Sequence, residues 1–312
     1  MGSGLVDIRV CETTRRRSAL KLVLSDLPAQ QRAPLVEAMT GLRGEPLGAF
    51  DALVGAWERD RLVAAAWAQP QAGKTAAVWM PKFAASPSTV VARRLLDLAM
   101  LRADTAGVCL SQAMLESLDQ PAVSDLEATG FRRAATLDYV EWVAVDDTAG
   151  APTAPVGTLK LSAAEQTPRA ELEQLVGQTY QKTRDCPELE GLRDVRDVLH
   201  GYRSAGDSAD ELWWVIRSGD CAVGVLFLTE HTRSRQMELT YMGLIPQSRG
   251  RGLAKQAVAA AQQTTRTRRC KQLVLAVDRR NEPARRVYRS AGFRAWAERT
   301  VFLRVPGASH GP

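Results

Sequence analysis

The sequence is short of everything that a metal centre, a disulfide frame or a membrane span is built from. Histidine occurs three times in 312 residues. The five cysteines, Cys11, Cys109, Cys186, Cys221 and Cys270, are scattered and odd in number, which reads as reduced thiols rather than paired cystines or a zinc site. No apolar run approaches the roughly 20 residues that cross a bilayer. The opening Met1-Gly2-Ser3-Gly4-Leu5-Val6-Asp7 has neither the basic region nor the apolar core of a secretion signal. The expectation is a cytoplasmic protein with no metal and no membrane contact. What is present, 45% hydrophobic and 24% charged residues, suits a soluble globular chain, and the length suits two domains.

The net charge of +6 conceals an asymmetry. Residues 1–150 carry 16 basic and 18 acidic side chains, residues 151–312 carry 25 and 17, and Gln247 to Arg304 alone carry 15 and 3. Such a cluster attracts anions. It lacks the aromatic interleaving and groove-reading patterns of nucleic-acid binders, so nucleic acid is not expected as a partner.

A better client is suggested by Arg249-Gly250-Arg251-Gly252-Leu253-Ala254. A strand-like run from Met237 to Pro246 leads into this turn and a helix-like run, Leu253 to Thr265, leaves it. Strand, glycine turn and helix start leave several backbone N–H groups pointing one way at the positive end of the helix dipole, which is a seat for phosphate. The apolar run Leu273 to Val277 then reads as a buried strand, and Asn281-Glu282-Pro283-Ala284 as a helix start with early proline. Gly292-Phe293 closes that helix.

The turn at Arg249, Gly252 and Ala254, followed by Asn281-Glu282-Pro283-Ala284-Arg285-Arg286-Val287-Tyr288-Arg289-Ser290-Ala291-Gly292-Phe293, resembles the acyl-CoA-binding half of the GNAT superfamily of N-acetyltransferases. The resemblance implies an α/β fold with a mixed, mostly antiparallel α+β sheet flanked by helices. It implies acetyl-CoA as co-substrate, no metal, and a primary amine on a small molecule or peptide as acceptor. Arg249, Gly250, Arg251, Gly252, Leu253 and Ala254 would hold the pyrophosphate. Asn281 and the backbone of Leu244 and Ile245 would meet the pantetheine arm and thioester. Tyr288 matches the family's general acid, which protonates the departing thiolate, and Glu238 the strand position of a general base. By the residues alone, each has a plainer reading: Tyr288 packs a buried helix face, Asn281 begins its helix, and Glu238 faces solvent. The period of two puts Glu238, Thr240 and Met242 on one face.

A second, fainter copy precedes the first. Asp119-Gln120-Pro121-Ala122-Val123-Ser124-Asp125-Leu126-Glu127-Ala128-Thr129-Gly130-Phe131-Arg132 aligns without a gap against Asn281 to Arg294, and both precede strand-like runs. Ala56 to Trp67 pairs with Trp214 to Phe227, and Val78-Trp79-Met80-Pro81 with Gly243-Leu244-Ile245-Pro246. In place of the phosphate turn stands Ser86-Pro87-Ser88-Thr89-Val90-Val91-Ala92, with Val90 set against Gly252, and Leu126 stands against Tyr288. Proline removes a donor and valine crowds the backbone. Two tandem GNAT-like domains are expected: residues 1–147, degenerate and non-catalytic, a Pro- and Ala-rich linker at 148–157, and a catalytic domain at 158–312.

For the acceptor, the family places the segment between the first two helices at the site, here Arg184 to His200. Residues 151–246 carry 10 basic and 14 acidic groups, which suits either an acidic lip for a cationic amine or a plain solvated loop. Cys186 has no histidine set beside it by any recognisable motif, which speaks against an acyl-carrying thiol. The tandem layout with one degenerate copy resembles that of the mycothiol synthases, which implies a cysteinyl amine as an alternative acceptor. The same motifs also suit a coenzyme A-binding regulatory protein, or an acetyltransferase acting on a protein N-terminus or lysine. No feature of the sequence speaks to oligomeric state.

Overall fold

The computed structural model describes residues 6–27, 32–33, 36, 48–144, 159–206 and 210–307; the expected linker at 148–157 lies outside them. By contact the chain forms two compact units, residues 1–134 with 300–312, and residues 135–299. Among the described residues no helix is long and apolar enough to cross a membrane.

In chain order the first unit runs β1 (Asp7–Val10), α1 (Thr13–Val23), β2 (Leu53–Glu58), β3 (Arg61–Gln71), β4 (Thr75–Phe83), α2 (Thr89–Thr105), β5 (Leu110–Leu115) and α3 (Gln120–Ala128). Its strands lie in the order β1-β2-β3-β4-β5, antiparallel except for β4 beside β5. Ala64, Ala66 and Ala68 pack under Leu95, Leu96 and Met100 of α2, while Ala65 and Trp67 pack under Leu20 of α1. A strand covered on both faces reads as an unbroken apolar run.

The second unit contains β6 (Arg132–Val143) from Ala135 onward, β7 (Leu159–Ala163), α4 (Arg169–Tyr180), α5 (Val195–Arg203), β8 (Trp213–Ser218), β9 (Cys221–His231), β10 (Gln236–Leu244), α6 (Leu253–Thr267), β11 (Gln272–Asp278), α7 (Glu282–Ser290) and the first half of β12 (Arg294–Arg304). Strand order is β6-β11-β10-β9-β8-β7. Residues of α6 and α7 cover one face with Met237, Leu239, Leu273 and Leu275. Residues of α4 and α5 cover part of the other with Trp213, Phe227 and Tyr241.

Two strands lie away from the sequence division at 147 and 158. β6 follows α3, yet it pairs with β11 from Leu137↔Asp278 to Val143↔Gln272. β12 follows α7, yet Thr300–Arg304 pairs with β5, Thr300↔Leu115 to Arg304↔Ser111, and Arg304 closes a bidentate pair on Asp104 at 2.8 Å. The apolar pattern marks both segments as strands, but a strand's partner is chosen by edge and register, which the pattern does not carry.

The fourteen-residue repeat is a repeated capped helix. Asp119 accepts from Ala122 N at 3.1 Å and Asn281 from Ala284 N at 3.3 Å. Gly130 and Gly292 both sit at φ +86°, and Phe131 N and Phe293 N reach back to Leu126 O and Tyr288 O at 3.0 and 3.1 Å. This is one glycine-terminated stop written twice.

Two finer equivalences shift. Pro81 lies inside β4, where the register slips between Ala65 and Trp67, whereas Pro246 lies beyond β10; the bulge is what lets a proline stay in a strand. Val90 is likewise not the counterpart of Gly252. Gly252 precedes the first residue of α6, and the residue that precedes α2 is Ser88.

Candidate active site

β10 and β11 pair in parallel over three positions only, Gln236↔Gln272 to Glu238↔Val274. Beyond them β10 stays with β9 as far as Leu244↔Gly224 and β11 with β6 as far as Asp278. The edges from Leu239 and Leu275 onward therefore face each other with no ladder between them. Such a gap offers unpaired strand backbone to an extended ligand. Leu244 and Ile245 stand at its open end, where Ile245 N donates to Val223 O at 3.0 Å and Leu244 O accepts from Arg249.

Next to the gap β10 is bulged, its register with β9 slipping between Leu239 and Tyr241. The bulge breaks the alternation expected from the sequence. Met242 turns to the α6 side, and Tyr241 joins the α4/α5 side, the side of Glu238 and Thr229, which is opposite Glu238 in the ladder. Glu238, Thr240 and Met242 thus do not share a face.

The turn after β10 has the form of an anion seat. Gly250 and Gly252 sit at φ +77° and +79°, and a Cβ built on either would meet nothing within 4 Å. No side chain caps α6, and among the described residues the amides of Gly250, Arg251, Gly252, Leu253 and Ala254 donate to no backbone carbonyl. Arg251 and Lys255 are exposed alongside. A pyrophosphate fits these donors, and the left-handed glycines make the approach possible.

Arg249 is placed differently from the rest of the turn. Its guanidinium donates to four carbonyls, Leu244 at 3.0 Å and Thr179, Gln181 and Lys182 at 2.9 Å. It ties the end of α4 to the end of β10, so its side chain holds the gap's geometry rather than reaching for phosphate.

Tyr288 is buried in the α6/α7 core, 7% exposed, with its ring 5.6 Å from that of Phe293. Burial first, and the Asp185 charge second, push its hydroxyl well above the usual phenol range, so it keeps its proton at neutral pH. Asn281 caps α7 through Oδ1. Asp185 accepts from Asp278 N at 2.8 Å, and its charge is felt by Tyr241 and Tyr202 as well as Tyr288. It stands at the mouth of the gap.

The segment around Asp185 is held down at two more points, Cys186 and Glu188. Cys186 N donates to Asp278 Oδ2 at 3.1 Å, and Arg280 bridges Glu188 at 2.6 and 2.7 Å and Asp278 at 2.7 Å. Burial opposes the Asp278 charge, but these donors outweigh it and hold its carboxyl below the usual range. Cys186 is pushed up to about 12 by burial and by the carboxylates of Asp185, Asp278 and Glu188. It stays a thiol, which supports reading it as no nucleophile. Position in a loop gave the sequence no signal for this clamp.

Glu238 emerges on the sheet face opposite Tyr288's core. His231 Nε2 lies 2.8 Å from its Oε2. Across the gap the same face presents Val274 and Ala276 on β11 and Glu141 and Tyr139 on β6, by register. Ala276 is exposed, so among the described residues this face is left open beyond α4 and α5. Trp296 stands 55% exposed with its ring 5.8 Å from Tyr139, and Arg299 lies 5.6 Å over the same Tyr139 ring. Sequence reading missed His231, Tyr139 and Trp296, because none belongs to a motif and β6 arrives from the other half of the chain.

Comparison with known proteins bears on this arrangement. Residues 176–293 match the acetyltransferase (GNAT) family. The match lies wholly within the second unit. In solved structures the chain is similar to a GCN5-related N-acetyltransferase from Sphaerobacter thermophilus, at 16% identity and TM-score 0.64 with 97% of each chain covered. It is also similar to a tandem GNAT protein from the clavulanic acid biosynthesis pathway, at 16% identity and TM-score 0.58, covering 98% of this chain and 100% of that one. A third likeness is to a GCN5-related glucosamine N-acetyltransferase region of a fungal multi-domain GH3 β-N-acetylglucosaminidase, at 14% identity and TM-score 0.65, covering 97% of this chain and 38% of that one. At these identities the likeness is one of fold. No curated protein matches the chain in sequence.

Proposed function

We propose that the second unit moves an acetyl group from acetyl-CoA to a primary amine, by direct attack within the gap between β10 and β11. The observation that carries this reading is the gap itself, with a carboxylate, Glu238, on one sheet face beside it and a proton-holding phenol, Tyr288, in the core on the other. Base and acid on opposite sides suit a reaction in which a nucleophile enters from one side and a thiolate leaves toward the other. The amides of Gly250 to Ala254 would hold the pyrophosphate, with Arg251 and Lys255 adding charge. Unpaired backbone of β10 near Leu244 would bind the pantetheine amides, and the Asn281 amide group, whose Oδ1 caps α7, would meet the arm. Acetyl-CoA supplies an activated thioester; the chain positions it, excludes water and moves two protons.

The acceptor, on this reading, approaches the open face between Glu238 and the Tyr139–Trp296 pair. Glu238 takes the ammonium proton, and Tyr288 gives its proton to the departing sulfur. The first unit keeps the scaffold without the chemistry: Leu126 is fully buried at the place of Tyr288, and Ala77 holds the register position of Glu238.

Thiol release from acetyl-CoA across a panel of small amines and peptides, in Tyr288→Phe and Glu238→Gln, tests this. Tyr288→Phe should lower kcat by about 10²-fold with acetyl-CoA affinity retained. Glu238→Gln should lower turnover most at low pH, where the amine is charged. Wild-type turnover in both would overturn the assignment.

A further inference from the structure

His231 lies at the end of β9, outside every motif, and belongs to no part of the reaction so far described. In the β9·β10 ladder it faces Gln236, and Thr229 faces Glu238. His231 is therefore the diagonal neighbour of Glu238 on the same face, a position from which a long side chain can reach across. It does so, with Nε2 2.8 Å from Glu238 Oε2, the two side chains 33% and 38% exposed. The ring is also confined from behind. A Cβ on Gly206 would stand 2.2 Å from Thr229 Cγ2, 3.2 Å from the Glu230 carbonyl oxygen and 3.7 Å from His231 Cε1, so only glycine lets the α5–β8 connection pass this close.

We propose that His231 is the positioning residue of the base: its Nε2–H fixes one oxygen of Glu238, leaves the other for the amine, and sets how strong a base that carboxylate is. The inference rests on Glu238 being the base. Beside an imidazolium the carboxylate is held ionised and takes a proton poorly; beside a neutral imidazole it takes one readily. On this proposal the acidic limb of activity carries the contribution of both groups. Among the described residues the other groups placed on this face by pairing or contact include Tyr139 and Glu141 from β6, Thr229 from β9 and Thr240 from β10, with Arg299 of β12 over Tyr139 and Arg233 nearby in the β9–β10 turn. Burial first, then Glu238 itself, raises the Tyr139 phenol, with Arg299 opposing, so Tyr139 stays protonated and does not compete for the role.

The test uses one acceptor amine throughout, so that its own titration is common to every profile, and compares kcat against pH in wild type, His231→Gln and His231→Ala of the full chain. Glutamine keeps an N–H donor and loses the titration. It should leave kcat at pH 8 within about 3-fold of wild type while the acidic limb moves down by about one to two pH units, from the imidazole toward the carboxylate range. Alanine removes the donor and should lower kcat by about 10-fold through misplacement of the base, with acetyl-CoA affinity unchanged. An acidic limb in His231→Gln at the wild-type pH, or full kcat in His231→Ala, overturns the proposal. Glu238→Gln, run in parallel, separates the two failures. If it is impaired while the His231 variants are not, only the pairing fails; if it is fully active, the base assignment fails first.

Discussion

In the first unit the helix that follows the bulged strand begins Pro87-Ser88-Thr89. Ser88 Oγ accepts the amide of Val91 at 3.5 Å, and Pro87 has no amide to offer. In the second unit the same place is Arg251-Gly252-Leu253, with Gly252 left-handed and no cap. Both units have a strand pair that separates after a few parallel positions, four for β4·β5 and three for β10·β11, and both have a bulge on the longer strand. They differ in which polar groups remain unmet. One copy satisfies its helix start from within and puts Ala77 and Leu126 where the other has Glu238 and Tyr288. On the proposed reading, a scaffold becomes a site by leaving amide donors open and setting a carboxylate and a phenol beside a gap, and three local substitutions that leave packing intact are enough to retire it.

The largest test of this comparison is where the chain can be cut. A fragment 151–312 follows the sequence division but loses β6, which leaves the β11 edge bare and strips Arg279 and Arg285 of Asp138, 2.9 Å from each. Asp138 is 6% exposed while its arginine partners reach solvent, so their loss adds to, and is smaller than, the loss of the ladder itself. That fragment should show no cooperative melt by circular dichroism. Residues 132–299 should melt cooperatively and bind coenzyme A in calorimetry. A folded, coenzyme A-binding 151–312 fragment would mean that β6 is a lodger and not a part of the second unit.

Legibility from sequence follows the range of the forces involved. The α3/α7 repeat, its caps and the phosphate turn were readable because capping and left-handed glycines are settled within a few residues. The gap between β10 and β11 was not, because it is an absence of pairing between strands about 35 residues apart. The bulge at Thr240 reversed the face of Met242 for the same reason. Arg249 looked like a phosphate ligand by motif, yet four carbonyls from α4, the turn after it and β10 claim its guanidinium, and no local pattern announces such a clamp.

Alkaline pH should separate the units next. All five tyrosines lie within residues 135–299, and Tyr180, Tyr202, Tyr241 and Tyr288 are all raised, mainly by burial. A group whose pKa is raised by folding gives its full contribution below its unfolded value, near 10 for a phenol, and loses it as pH rises toward the folded value. At pH 11 a phenol as buried as Tyr288 thus destabilises by about 1.4 kcal/mol relative to pH 8. In the first unit the thiol of Cys11, pushed up to about 12 by burial, acts in the same direction but alone. Urea melts at pH 8 and pH 11, with tryptophan fluorescence confined to one unit at a time by Trp→Phe substitution, should show the larger fall in the second unit. Equal falls would mean that the phenols are not what differs.

The smallest expected effects lie at the two helix starts, and they should be opposite in kind. Gly252→Val forces a branched residue to φ +79°, a strained conformation for it, and fills space that is open in the structure. Acetyl-CoA affinity should fall by at least about 10-fold, which is about 1.4 kcal/mol. Gly252→Ala carries much of the same backbone strain with a smaller side chain, so comparing the two in calorimetry divides strain from obstruction. Ser88→Ala removes a cap and should cost about 1 kcal/mol of folding stability while leaving acetyl-CoA affinity untouched. If Ser88→Ala instead gave the first unit measurable affinity for coenzyme A, or if Gly252→Val left affinity as it was, the difference between the units would not reside in their helix starts, and the missing Glu238 and Tyr288 counterparts would have to account for it alone.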